Sequence, residues 1–110
     1  MLHLCRSNIA FSYFRDYPAH CINWSVAEPG NPTLADALSL TEKALMGGLR
    51  ERETLIHASP NEVSQEVRQA LNETGGRRLL LAGGCSAKLK LMPEENLKAV
   101  IEARDSFMPQ

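Results

Sequence analysis

His3 and Cys5 stand one residue apart near the N-terminus, and Cys85 follows a glycine pair far down the chain. An imidazole and two thiolates are ligands that suit zinc. Three protein ligands leave one coordination position open, as catalytic zinc sites do, whereas structural sites close the tetrahedron with a fourth. Residues i and i+2 of a strand point to one face, so His3 and Cys5 are predicted to bind one metal together. Zinc bound there would hold an incoming thiol as its thiolate, the nucleophilic form, at neutral pH.

The remaining candidates are weaker. Cys21 is a possible fourth ligand, but it lies inside an apolar run and is expected in the core. His20 and His57 have no partner at a telling spacing. A metal-bound histidine needs a carboxylate or carbonyl on its other nitrogen, and no residue can be assigned that job. Asn23 and Trp24 fall near a predicted strand end and are candidates for substrate contact, with Trp24 equally suited to the core. Gly47, Gly48 and Gly84 are predicted to bring backbone N–H groups toward a substrate, although a tight turn explains glycine pairs as well. Arg50, Arg52, Lys88 and Lys90 follow strand ends and could meet a carboxylate or sulfonate; solvated loop charge is their default reading. No residue is assigned as a catalytic acid or base.

The elements that must position these groups are short apolar runs alternating with helical patterns, as in βα units. Residues 1–5 form the first run, and Ser7 is expected to cap a helix over 8–17 that Pro18 ends. Residues 19–26 form the second run, closed by the turn chemistry of Glu28-Pro29-Gly30-Asn31-Pro32. Thr33 with Asp36 opens a helix whose inner face is Leu34, Leu38, Thr41 and Leu45. Residues 45–49 form the third run. Ser59-Pro60-Asn61-Glu62 combines a capping box with proline at the first helical position; Val63, Val67 and Leu71 follow as a stripe, and Gly75-Gly76 ends the helix. The fourth run, 78–83, is continuously apolar after its arginine, which predicts a strand covered on both faces. Pro93 opens a last helix with Leu97, Val100, Ile101 and Phe107 inward. The fold class is α/β: four consecutive βα units with a parallel sheet, a single domain over 1–110. A closed eight-unit barrel takes about 250 residues, so four units make half of one.

Length and charge exclude several functions. The chain has 110 residues, with 12 Lys+Arg against 13 Asp+Glu and a net charge of −1. That balance offers no general attraction to nucleic acid or to an anionic membrane. No segment reaches the roughly 18 apolar residues of a membrane span. Three cysteines argue against a closed disulfide framework, and a reducing cytoplasm is the expected compartment.

The segments MGGL, SPNEV, RRLLLAGGCS and PEENLKAVIEA, preceded by INWSV and LHLC, resemble the C-terminal part of the uroporphyrinogen decarboxylase superfamily. The resemblance implies a C-terminal half of a (β/α)8 barrel. Its methylcobamide:thiol (coenzyme M-type) methyltransferases carry an H-x-C…C zinc site, and His3, Cys5 and Cys85 fall on that pattern. The resemblance to this branch implies zinc as cofactor, methylcobamide as methyl donor, a corrinoid protein as a possible partner and a small thiol as substrate. The decarboxylase branch implies instead a cofactor-independent lyase acting on a tetrapyrrole; its glycine-rich segment commonly continues with His where Cys85 stands. Met92 occupies the position before Pro93 where the family usually has a capping Thr. A half barrel exposes two sheet edges and an apolar interior, so a homodimer or a complementary N-terminal half is the expected partner. A non-catalytic truncated or association module is the third reading.

Overall fold

The computed structural model describes residues 1–86 and 88–108. Four parallel strands, β1 (Leu2–Leu4), β2 (Cys21–Trp24), β3 (Ala44–Leu49) and β4 (Leu79–Gly83), form one sheet in the order β1-β2-β3-β4. Five helices cover it: α1 (Phe11–Phe14), α2 (Leu34–Leu40), α3 (Thr54–His57), α4 (Pro60–Thr74) and α5 (Glu94–Ser106), with a 3-10 turn at Leu89–Leu91. Sequential order with every neighbour parallel is the winding of a TIM-type barrel, here through four strands. The α/β architecture follows the expectation from the sequence.

The strand register sorts the side chains into two faces. One row runs Leu2–Ile22–Leu45–Leu79 and the next runs His3–Asn23–Met46–Leu80. Successive rows point to opposite sides of the pleat. The first row lies under the helices, where Ile22 and Leu45 have no exposed surface. Phe11, Trp24, Leu34 and Ala37 complete that core, and α4 and α5 build a second one around Val63, Val67, Ala99 and Ala103. The second row faces what would be the barrel interior. Leu80 is 50% exposed there, so β4 is not covered on both faces as its apolar run suggested.

Local chemistry explains which helices formed as expected. The Thr33 hydroxyl accepts from the Asp36 N–H, and Ser59 and Glu62 form a reciprocal capping box with Pro60 at the helix start. Gly75 closes α4 in the left-handed conformation. The first helix is shorter than expected, only four residues, and Ser7 caps nothing. Arg6, Asn8 and Ala10 all have positive φ, which breaks any helix before Phe11. Leu45 belongs to β3 rather than to the face of α2, which ends at Leu40. On α5 the buried positions are Asn96, Ala99 and Ala103, and Ile101 is 50% exposed. Leu97, Val100 and Phe107 pack partly buried against that core as the stripe predicted, so Ile101 alone of the four departs from it. Pro93 stands at the N-cap without a side-chain hydrogen bond, and Met92 is buried instead of capping.

These assignments separate by stability. Val67→Ala is expected to cost about 2 to 3 kcal/mol through cavity formation, and Ser59→Ala about 1 kcal/mol through loss of the cap. Ile101→Ala should stay within about 0.5 kcal/mol of the parent. Chemical denaturation of the three variants checks the order.

Candidate metal centre

Cys5 follows the end of β1 and Cys85 follows the end of β4, the two outer strands of the sheet. Three strand spacings separate such edges by roughly 14 Å in a flat sheet. Yet the Cys5 and Cys85 sulfurs lie 3.6 Å apart. The sheet therefore curls, and the chain beyond β4 crosses inward over the ends of the neighbouring strands. Glycine makes that crossing possible: a Cβ on Gly84 would sit 2.3 Å from the Ser25 Cα. His3 joins the pair, and one ligand atom from each of His3, Cys5 and Cys85 lies within 4.8 Å of the others.

Asn23 supplies the hydrogen-bond partner for His3 that sequence reasoning could not find. Its Nδ2 donates to the Met46 carbonyl at 2.8 Å and to the Gly83 carbonyl at 3.1 Å. Both amide hydrogens are thereby committed, which turns Oδ1 toward His3. Oδ1 accepts from His3 Nδ1 at 2.6 Å. A carbonyl can only accept, so Nδ1 carries a proton that it gives to Asn23. In the neutral ring that tautomer offers Nε2 to a metal. The available signal was register: Asn23 pairs directly with His3. Asn23 is 6% exposed with all its amide hydrogens occupied by protein, which makes it a support for the cluster rather than a substrate contact.

A second asparagine holds the chain just beyond Cys5. Asn31 Nδ2 donates to the Arg6 and Ser25 carbonyls at 2.8 Å each, and its Oδ1 accepts from the Ile9 N–H. These bonds tie the segment after Cys5 to the loop after β2. The turn residues at 28–32 thus shape the mouth of the site.

The two thiols differ electrostatically. The backbone N–H of Ser86 holds the Cys85 thiol below its ordinary value, helped by the His3 and Cys5 side chains. The hydrogen bond with Cys85 pushes Cys5 up, with desolvation and the repulsion of the Cys85 charge adding to it. One negative charge therefore settles on Cys85 first. Both sulfurs sit at the surface or near it, open to solutes.

Other candidates lie elsewhere. Cys21 is buried two residues before Asn23, and desolvation raises its thiol; it is outside the cluster. Trp24 has no exposed surface, packs edge-on to Phe11 and donates its indole N–H to the Pro32 carbonyl, so it is core. Gly47 is buried within β3, and Gly48 lines a cavity of about 640 Å³ on the helix side, away from the thiols. Arg50 pairs with Glu53 and Glu66 beside that same cavity. Arg52, Lys88 and Lys90 are exposed. No helix among the described residues is long and apolar enough to cross a membrane.

In metal-free protein, rising pH should expose thiolate at Cys85 before Cys5, with Cys21 protected longest by burial. Peptide mapping after iodoacetamide treatment at a series of pH values reads this order. Equal modification of Cys5 and Cys85 at every pH would contradict it.

No curated protein sequence matches the chain. A family model described as uroporphyrinogen decarboxylase (URO-D) matches residues 1–107, nearly the whole length. The sequential parallel sheet and this match agree: the chain belongs to the uroporphyrinogen decarboxylase family.

Proposed function

We propose that the chain carries the metal-binding half of a zinc-dependent methyltransferase that moves a methyl group from methylcobamide to a small thiol. The observation that carries this reading is the convergence of His3, Cys5 and Cys85 at the mouth of the curled sheet. Two sulfurs at zinc-bonding distance in a tetrahedral shell lie roughly 3.8 Å apart. The observed 3.6 Å fits that shell with little movement. Among the described residues three form the cluster, which leaves room for a substrate sulfur.

Zinc held by His3 Nε2 and the two cysteine sulfurs would act as a Lewis acid that keeps a substrate thiol deprotonated. The protein's own groups do the rest. Asn23 keeps the His3 proton on Nδ1 and fixes the ring plane. The Ser86 N–H favours the Cys85 thiolate, and Asn31 anchors the backbone beside Cys5. The methyl group would come from methylcobamide, carried by a corrinoid protein.

The decarboxylase reading, the family's other chemistry, asks for bases and acids around a tetrapyrrole. Two thiols and an imidazole support the methyltransferase reading instead. The half-exposed Leu80 on the inner face supports a further part of the proposal: a second half barrel, from another copy or a complementary chain, covers that face.

Purified chain should contain one zinc per molecule, and Cys85→Ala should lose it. Asn23→Leu should weaken zinc binding about ten- to hundredfold while leaving the ligands in place. Methylcobalamin incubated with the zinc-loaded protein should be demethylated only when a thiol such as 2-mercaptoethanesulfonate or homocysteine is added. Metal-independent decarboxylation of uroporphyrinogen would overturn the reading. Light scattering checks the covered inner face, with a monodisperse monomer as the contrary result.

A further inference from the structure

Glu51 is a buried carboxylate that the proposed chemistry does not use. It is 5% exposed, and among the described residues it makes no ion pair. A buried carboxyl side chain is costly unless hydrogen bonds hold it. Its bond is specific: Oε2 accepts the Gly84 N–H at 3.1 Å, immediately before Cys85.

The side chain also packs along the glycines. A Cβ on Gly83 would lie 2.7 Å from the Glu51 Cβ, and one on Gly84 would meet Ser25 just after β2. The Gly83-Gly84 segment is thus slotted between the ends of β3 and β2. Asn23 grips its carbonyl at Gly83, and Glu51 grips its N–H at Gly84. Together they fix both sides of the Gly83–Gly84 peptide, one residue before Cys85.

We infer that Glu51 is a positioning residue that sets the place of Cys85 by holding the Gly84 N–H. The inference rests on the proposed metal site for its purpose, but the hydrogen bond itself can be tested without metal. The requirement is an acceptor at that point, not a charge. Glutamine keeps an acceptor oxygen and nearly the same shape; leucine keeps bulk and removes the acceptor.

Zinc affinity by chelator competition, and Gly84 amide exchange by NMR on metal-free protein, are measured for the parent, Glu51→Gln and Glu51→Leu. Circular dichroism confirms that each variant is folded, and Glu51→Ala replaces the leucine variant if its bulk prevents folding. Glu51→Leu should bind zinc about ten- to hundredfold more weakly, with Gly84 exchanging about tenfold faster or more. Glu51→Gln should stay within about threefold of the parent on both counts. An unchanged Glu51→Leu, or a Glu51→Gln as impaired as Glu51→Leu, would overturn the inference. A parent that takes up no zinc would sink the metal site, and amide exchange would then decide the role of Glu51 alone.

Discussion

One buried amide ties the sheet together where His3, Cys5 and Cys85 meet. Asn23 on β2 accepts from His3 on β1 and donates to the carbonyls of Met46 on β3 and Gly83 on β4. Every strand is touched by that one side chain. A hydrogen bond contributes about 1 kcal/mol net, but a buried partner left unsatisfied costs about 1 to 3 kcal/mol. The network therefore resists partial loss. The same bonds choose the His3 tautomer and hold the strand that leads to Cys85.

His3, Cys5 and Cys85 meet because the backbone around them is constrained rather than because all three lie close in sequence. Beyond β1 the chain turns through three left-handed residues, Arg6, Asn8 and Ala10, a conformation that costs about 1 to 2 kcal/mol for each residue with a Cβ. Asn31 offsets part of this by bonding the same segment to the loop after β2. Beyond β4 the Gly83-Gly84 pair passes where no Cβ fits, between Glu51 and Ser25. Strained backbone held by side-chain hydrogen bonds is common at functional sites.

Much of the fold was legible in particular residues. Ser59, Pro60 and Glu62 announced α4, because capping acts locally and depends on nothing distant. The apolar runs announced the strands, because burial demands them. Asn23, read as a substrate contact, proved to bond within the protein, because its three partners come from strands that only the parallel register brings together. The helix expected after Ser7 failed where tertiary bonds to Asn31 override local preference. On α5 hydropathy found Leu97, Val100 and Phe107, which pack against the core, but missed Asn96, whose Nδ2 donates to the Leu55 and Ala58 carbonyls, and misplaced the half-exposed Ile101. His3, Cys5 and Cys85 were visible as types; their convergence depends on sheet curl, which no local pattern carries.

The central claim is that these three residues hold one zinc with an open position. X-ray absorption at the zinc edge of the purified protein tests it most directly. The account predicts two sulfurs at about 2.3 Å and one imidazole nitrogen at about 2.0 Å, with a further sulfur appearing when a thiol is added. A shell already closed by protein ligands, or a folded protein that takes up no zinc, would contradict it.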